Sequence, residues 1–382
     1  MRVVVGLRGP SIARMVLAAR PLLALATFAA CTACHTSALP GAGLRMNELQ
    51  VIGTHNSFKQ RVQPELLSRM KLLYRGADGL DYGHPPVPEQ LALGVRNLEF
   101  DVYWDPDGGR YRAPLGNRLL SMFGVEPWPV ADQEGLRAPG FKVLHDCDFD
   151  FRSHHAAFED YLDELRAFSE AHPDHVPVVV TMNLKQGSHG IPGTVEGPSF
   201  DVGALRALDG LIAARLQDRL VTPDLVRGDD DTLERAVLGR GWPLVDEVRG
   251  RYLFLLDQGG ATRRRYLQAF PGLRGASFFT IGGPGQPTAA FLLMNDAVGA
   301  EGRIRACVER GYMVRTRADA DTREARAGDR RRFEAAMQSG AQVISTDFPV
   351  ADPRFESGYE VRFEGAGGGY VRANPVTRPG AR

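Results

Sequence analysis

The chain has 382 residues, of which 43% are hydrophobic and 24% are charged, a composition that predicts a folded protein and excludes wholesale disorder. Its 46 basic and 46 acidic side chains cancel, so the sequence lacks the basic excess that a nucleic-acid partner requires. The length suits two small domains or one large one, and a β/α barrel alone occupies about 250 residues.

The first 31 residues predict an export signal. Four arginines precede a short apolar run over residues 21–30, which ends in small side chains next to Cys31. This pattern is typical of a secretory signal, and the run is too short to span a bilayer as a stable helix. The residues before Cys31 also resemble a lipoprotein cleavage box. We therefore expect an exported protein, either secreted, periplasmic or lipid-anchored at the cell envelope, with a flexible tail over residues 32–43.

Eight β-rich runs follow in chain order, and helices are predicted between several of them, around residues 158–168, 205–216 and 331–337. The runs are 50–55, 96–103, 141–145, 176–183, 251–257, 276–281, 311–317 and 341–347. Several are continuously apolar, as expected for parallel strands that are buried on both faces. Strands that alternate with helices predict a parallel sheet, and eight such units predict a single (β/α)8 TIM-type barrel. We assign it to residues 44–355, followed by a C-terminal extension over residues 356–382.

Three connections are long, namely 57–89, 104–140 and 186–200, and loops of this length are usually lids or binding loops. The second carries several large apolar side chains, including Leu119, Phe123 and Trp128. Two interpretations remain open for it: contact with a membrane surface, or a short helix over residues 119–125 that packs back on the barrel.

Polar side chains stand at the ends of almost all of the predicted strands, which is where a β/α barrel builds its active site. They are His55 and Asn56, Glu99 and Asp101, His145, Asn183 and Lys185, Asp257, Arg315 and Arg317, and Asp347.

Glu99 and Asp101 are two residues apart in one strand, so both carboxylates point to the same face. Two like charges placed together are costly to bury unless a cation lies between them. With the amide of Asn56 they form an all-oxygen donor set, which favours a hard cation such as Ca²⁺ or Mg²⁺. The alternative is structural, with Glu99 paired to an arginine such as Arg96 and Asp101 capping a turn.

A histidine at each of two strand ends, His55 and His145, suits general acid–base catalysis, although a single strand-end histidine is more often structural. Cys147 lies beside His145, but no second cysteine or histidine stands at metal-ligand spacing. We expect Cys34, Cys147 and Cys307 to be buried or free thiols, and we assign no role to the remaining histidines.

Four segments together resemble the calcium-dependent phosphatidylinositol-specific phospholipase C family. They are Ile52-Gly-Thr-His-Asn-Ser57, Asn97-Leu-Glu-Phe-Asp101, Val143-Leu-His145 with Asp150-Phe-Arg152, and Ile344-Ser-Thr-Asp-Phe-Pro349. The resemblance extends from about residue 47 to residue 353. It implies a general base at His55, a general acid at His145, and one Ca²⁺, in preference to Mg²⁺, on Asn56, Glu99 and Asp101. It also implies attack of the inositol 2-hydroxyl on the phosphorus within one lipid molecule, which leaves a cyclic inositol phosphate.

The chain departs from the family pattern at Asn183, where the family has a glutamate as the fourth protein ligand. An amide can still bind Ca²⁺, but it brings no charge, so we expect a weaker metal site. We count Lys185 with the catalytic residues because it can stabilise the phosphate, and Arg315, Arg317 and Asp347 with the substrate-binding residues. The two arginines could instead belong to a solvated rim or pair with Asp319 or Asp321.

The predicted activity is therefore cleavage of a phospholipid headgroup, most simply that of phosphatidylinositol, with peripheral contact to the membrane surface. Two alternatives share much of the pattern. One is a glycerophosphodiester phosphodiesterase, and the other is a lipid-binding relative that has lost catalysis through Asn183.

Overall fold

The computed structural model describes residues 40–130, 132–364 and 369–378. The predicted signal, Cys34 and residues 32–39 of the predicted tail lie outside these ranges. Ten strands are present in the described residues: β1 (Leu49–Thr54), β2 (Asn97–Asp105), β3 (Gly140–Val143), β4 (Val178–Lys185), β5 (Tyr252–Leu256), β6 (Phe278–Thr280), β7 (Phe291–Asp296), β8 (Met313–Arg317), β9 (Val343–Thr346) and β10 (Val371–Ala373).

Helices fill most of the connections between these strands. The described α-helices are α1 (Pro64–Leu73), α2 (Val87–Leu93), α3 (Leu115–Met122), α4 (Gln133–Arg137), α5 (Phe158–Ala171), α6 (Val202–Leu216), α7 (Pro223–Arg227), α8 (Leu233–Gly239), α9 (Gly260–Ala269), α10 (Glu301–Arg310), α11 (Arg323–Ala327) and α12 (Arg331–Ser339). The helices predicted around residues 158–168, 205–216 and 331–337 are confirmed as α5, α6 and α12. Asp201 caps α6, since its carboxylate accepts a hydrogen bond from the Ala204 amide at 2.8 Å.

The strands form two five-stranded sheets, in the orders β10-β1-β9-β8-β7 and β3-β2-β4-β5-β6. Eight of the ten run parallel to their neighbours, whereas β3 and β10 are antiparallel edge strands on β2 and β1. Strands β1, β5 and β9 are buried along their whole length, as expected for parallel strands covered on both faces. The fold is therefore mixed α/β, and the pairing in the described residues leaves both sheets open rather than closed into one barrel.

The two sheets adjoin at β1 and β2. The Arg96 amide donates to the Ile52 carbonyl at 3.0 Å, and the Ser57 amide donates to the Glu99 carbonyl at 3.0 Å. Gly53 allows this approach, because a Cβ at that position would overlap Asn97 on β2. The contact brings the carboxyl end of β1 beside Glu99.

Two strand predictions need correction. The run over residues 141–145 was counted among the parallel strands, but β3 pairs antiparallel with β2, with Val143 opposite Val102. The parallel strand β7 was missed altogether, because its apolar part is short, directly follows the glycine- and proline-rich residues 282–287, and ends in the exposed Asn295 and Asp296. The predicted total of eight parallel strands was therefore right in number, but it wrongly included β3 and omitted β7.

The long connections carry secondary structure of their own. Helices α1 and α2 lie between β1 and β2, and α3 and α4 lie between β2 and β3. Residues 186–200 contain no helix or strand, and Gly187 and Gly197 close this loop with a pair of 2.8 Å backbone hydrogen bonds. Over the described ranges, no helix has the length and apolar character needed to cross a membrane.

Candidate active site

His55 lies just past β1, and three groups hold its ring. Its Nδ1 is 2.8 Å from the Asp347 carboxylate and 3.0 Å from the Tyr82 hydroxyl. Its Nε2 lies 3.3 Å from an Arg317 nitrogen, and because a guanidinium only donates, Nε2 accepts and the proton lies on Nδ1. Burial, reinforced by Arg317, lowers the pKa of His55 well below its ordinary value. The ring is therefore neutral at pH 7, with a lone pair on Nε2.

His145 lies just past β3 and is held by a different carboxylate. Its Nδ1 is 2.7 Å from Asp150 Oδ2, and the other Asp150 oxygen is 3.2 Å from the Lys59 ammonium. Both Lys59 and Asp150 are completely buried. Burial alone would raise the pKa of Asp150, but Lys59 and the hydrogen bond to His145 together outweigh burial, and the pKa falls below the ordinary value. His145 is thus oriented by an ionised carboxylate that has its own buried counter-ion.

The two carboxylates predicted to bind metal are both paired with basic side chains. Arg315 on β8 forms an ion pair with Glu99, and Lys185 Nζ is 2.9 Å from Asp101 Oδ2. Burial would raise the pKa of Glu99, but Arg315, together with His55, Arg317 and Lys185, outweighs burial and lowers that pKa. At Asp101 burial prevails, and the pKa is raised despite Lys185. The alternative interpretation from the sequence paired Glu99 with Arg96, but in the structure its partner is Arg315.

The two predicted amide ligands are both hydrogen-bonded. Asn56 has a left-handed backbone with φ of 50°, a conformation that asparagine tolerates better than most residues. Its Nδ2 donates to the Tyr82 hydroxyl at 2.8 Å, a contact that does not use the side-chain oxygen. Asn183 is engaged through its oxygen, because Gln258 Nε2 donates to Asn183 Oδ1 at 2.8 Å.

The residues present fit a hard cation in their chemistry. Asp101 is 1% exposed, and neither carboxylate oxygen has a properly directed hydrogen bond, although Lys185 is close enough for an ion pair. A buried carboxylate with free lone pairs is an available oxygen ligand. Across the described ranges, however, no three acidic, histidine or cysteine side chains are already gathered at metal-binding distance. A bound ion would therefore have to draw Glu99 and Asp101 away from Arg315 and Lys185.

The predicted substrate-binding residues Arg315, Arg317 and Asp347 are all held by contacts with other side chains of the site. Arg315 is 1% exposed and also donates to Asn295 at 2.7 Å and Ser345 at 3.1 Å, so it is firmly held. Arg317 donates to Asp347 at 3.0 Å and reaches the His55 ring. Neither arginine pairs with Asp319 or Asp321, the partners considered in the alternative.

Sequence reasoning missed several residues that shape this site. Tyr82 bridges His55 and Asn56, Lys59 balances Asp150, and Gln258 holds Asn183. A lysine three residues after a strand-end His-Asn pair was the available signal for Lys59, since lysine is rare in this chain. The other two are ordinary loop residues in the sequence. Cys147 and Cys307 are buried free thiols, as expected.

The site thus contains two histidines, each oriented by a carboxylate, beside acidic and basic side chains that form ion pairs. These groups lie together at one end of a set of parallel strands, as expected of an enzyme that cleaves phosphoric diesters. The chain belongs to the calcium-dependent phosphoinositide phospholipase C family, whose model matches residues 44–375. The predicted resemblance is confirmed by this match, and the chain is an enzyme of the calcium-dependent phosphatidylinositol-specific phospholipase C type.

Solved structures of similar fold include a calcium-dependent phosphoinositol-specific phospholipase C from a Gram-negative Pseudomonas species. In its apo form it is 15% identical with a TM-score of 0.53, covering 87% of this chain and 96% of that one. The myoinositol complex is 16% identical with a TM-score of 0.52, covering 86% and 95%. A Ca²⁺-dependent phosphatidylinositol-specific phospholipase C from Streptomyces antibioticus is 20% identical with a TM-score of 0.47, covering 79% and 94%. Comparison with curated proteins found no match.

Proposed function

We propose that this enzyme cleaves phosphatidylinositol by calcium-assisted intramolecular attack, with His55 as general base and His145 as general acid. The observation that carries the proposal is the pair of histidines, each held through Nδ1 by a buried carboxylate. This arrangement keeps both Nε2 atoms away from the carboxylates, so each can transfer a proton at the reacting phosphate, that of His55 once Arg317 has been displaced from it. The assignment of a cyclic product follows from the family resemblance.

His55 has the properties required of the base. Its Nε2 carries a lone pair at neutral pH, because burial and then Arg317 lower the pKa of the ring, and Arg317 donates to that atom. Substrate must displace Arg317 from Nε2, which brings the guanidinium to the phosphate, where it can bind an oxygen. Asp347 then holds the proton on Nδ1 as Nε2 accepts one from the attacking hydroxyl.

His145 has the properties required of the acid. Proton donation from Nε2 leaves the ring neutral with a proton on Nδ1, and Asp150 is positioned to accept that Nδ1–H bond throughout. The buried Lys59 charge stabilises the ionised form of Asp150, so a carboxylate remains in place to hold the ring in the orientation needed for donation. The proton would pass to the leaving diacylglycerol oxygen.

The oxygens of Asn56, Glu99, Asp101 and Asn183 would hold the Ca²⁺ ion. When bound, the ion would lower the pKa of the attacking hydroxyl and offset charge on the phosphoryl oxygens. Lys185 and Arg315, once released from Asp101 and Glu99, would add positive charge beside the same phosphate. Because the nucleophile and the phosphorus belong to one molecule, attack avoids the entropy of recruiting a second reactant.

We also propose that the eight parallel strands form one barrel-like wall around this site. The backbone bonds between β1 and β2 support it, with the antiparallel strands β3 and β10 occupying the rest of that junction. Export, with either secretion or lipidation at Cys31, remains our proposal for the location of the enzyme.

The exposed C-terminal end of helix α3 supports peripheral contact with a membrane. Helix α3 is the short helix considered in the sequence, and Leu120 packs it against Leu66 and Phe151. Its C-terminal end nevertheless exposes Met122 by 79% and Phe123 by 65%. The Arg69 guanidinium of α1 lies 5.1 Å from the Phe123 ring. Exposed apolar groups beside a cation suit an anionic bilayer surface.

Phosphorus NMR of the products from phosphatidylinositol, with Ca²⁺ or with a chelator, tests substrate, product and metal together. We expect a cyclic inositol phosphate only when Ca²⁺ is present. Turnover of glycerophosphoinositol in preference to the intact lipid would favour a glycerophosphodiester phosphodiesterase. Lipid binding without turnover would identify an impaired relative. The Arg315–Glu99 and Lys185–Asp101 ion pairs would explain that outcome, because they occupy the two carboxylates that Ca²⁺ would need.

A further inference from the structure

We propose that Asp257, on the strand next to Asn183, supplies the carboxylate that the Ca²⁺ site lacks at residue 183. The proposal rests on the calcium-assisted function above, and it assigns a metal-binding role to a residue outside the family's ligand pattern. Asp257 directly follows β5, and its amide donates to the Met182 carbonyl of β4 at 2.9 Å.

Strand register places Asp257 in the same row as two predicted ligands. Asp101 on β2 is paired with Asn183 on β4, and Met182 is paired with Leu256 on β5, so Asp257 stands at the level of Asn183. Residues in register on adjacent parallel strands project to the same face of the sheet. Two strand spacings separate the Asp101 and Asp257 backbones by about 10 Å, a gap that two aspartate side chains and one ion can close.

Asn183 is poorly prepared to replace a glutamate. Its oxygen already accepts a hydrogen bond from Gln258, and Gln258 is further anchored on the Leu184 carbonyl at 3.3 Å. The amide also brings no charge. Position 183 is thus occupied by a neutral group that is bonded to its neighbour, while the next strand presents a carboxylate at the same level.

The charges of the site leave Asp257 unbalanced. Arg315 pairs with Glu99 and Lys185 pairs with Asp101, and within the described part of the chain Asp257 forms no ion pair. Asp101 is a second, independent sign of an available oxygen ligand, because it is 1% exposed and its carboxylate oxygens lack directed hydrogen bonds, although Lys185 lies 2.9 Å from one of them. A divalent cation between Asp101 and Asp257 would satisfy both groups.

Calorimetric titration of the purified enzyme with Ca²⁺ alone tests the assignment without relying on turnover. We expect Asp257→Asn to raise the Kd for Ca²⁺ on the order of 10-fold to 100-fold, the range reported when supporting groups of a metal site are removed. Asn183→Ala should change the Kd much less. Asp231→Asn, at an exposed aspartate paired only with Arg235, serves as the matched control and should leave the Kd unchanged.

A charge swap separates a ligand from a residue that merely supports the fold. The double variant Asn183→Asp with Asp257→Asn moves the carboxylate by one strand at constant net charge, and we expect it to recover most of the lost affinity. The melting temperature without Ca²⁺ reports whether each variant is folded, and the rise on adding Ca²⁺ gives a second measure of binding. If Asp257→Asn binds Ca²⁺ as tightly as the parent enzyme, the role of Asp257 is refuted while the proposed function stands. If the parent enzyme itself binds no Ca²⁺, the metal assignment as a whole fails.

Discussion

Asp150 offers the sharpest test of the acid–base assignment, because it connects a buried lysine to His145. Its two carboxylate oxygens lie 2.7 Å from His145 Nδ1 and 3.2 Å from Lys59 Nζ. The Lys59 ammonium is inaccessible to solvent and also donates to the backbone carbonyls of Leu80 and Tyr82, each at 2.9 Å, and of Gln60 at 3.5 Å, none of which carries a charge. Asp150→Asn therefore leaves a buried cation without its counter-ion.

The expected loss of stability follows from that geometry. Two unit charges 3.2 Å apart attract by about 5 kcal/mol at an effective dielectric constant of about 20. Breaking a buried ion pair typically costs roughly 3–5 kcal/mol. We expect Asp150→Asn to lower the free energy of unfolding by about that amount. Because the folded-state pKa of Asp150 is depressed, this contribution is present above about pH 4 and is lost as the pH falls further, so parent and variant should converge in acid.

The same change should impair catalysis by a separate route. An amide at residue 150 can present its NH₂ to the ring and favour the wrong histidine tautomer, and the comparable substitution in a serine protease lowers kcat by roughly 10⁴-fold. Urea denaturation and turnover of a soluble phosphatidylinositol measure the two effects. Adding Lys59→Met removes the unpaired cation, so the double variant should regain stability while remaining inactive. An Asp150→Asn enzyme with parental stability and turnover would refute the reasoning, as would a double variant that recovers both properties.

The remaining predictions concern the other parts of the site. His55→Ala and His145→Ala should each reduce kcat by about 10²- to 10⁴-fold with little change in melting temperature, and near-normal turnover of either variant would contradict the paired assignment. Asn183→Glu should lower the Ca²⁺ concentration needed for half-maximal activity because it adds a charged ligand, whereas full activity after chelation would exclude the metal. Phe123→Ser with Trp128→Ser should weaken binding to anionic vesicles and turnover of bilayer substrate, and spare a soluble short-chain substrate; an early melting transition with loss of both activities would instead assign these residues to the core.

Residues at the strand ends could be located from the sequence, because apolar runs mark buried strands and a polar residue marks where each run stops. The direction of a strand could not be determined in this way. An apolar run such as that of β3 has the same pattern whether it pairs parallel or antiparallel, and only contact with β2 decided between the two. The short strand β7 was hidden for a related reason, since a four-residue apolar stretch is too brief to show a period.

The sequence by itself determined which side chains could meet at the mouth of this fold, since His55, Glu99, Asp101 and His145 all stand beside apolar runs. The tertiary structure decided which of them touch. Arg315 reaches Glu99 across 216 residues of chain, a contact that depends on how the strands assemble. Gln258 reaches Asn183 because β4 and β5 are neighbours in one register. The local sequence determines which segments form strands and which side chains share a face. Charge pairing between distant strands depends instead on the order and register of the strands in the sheets, and no single segment of the sequence determines those.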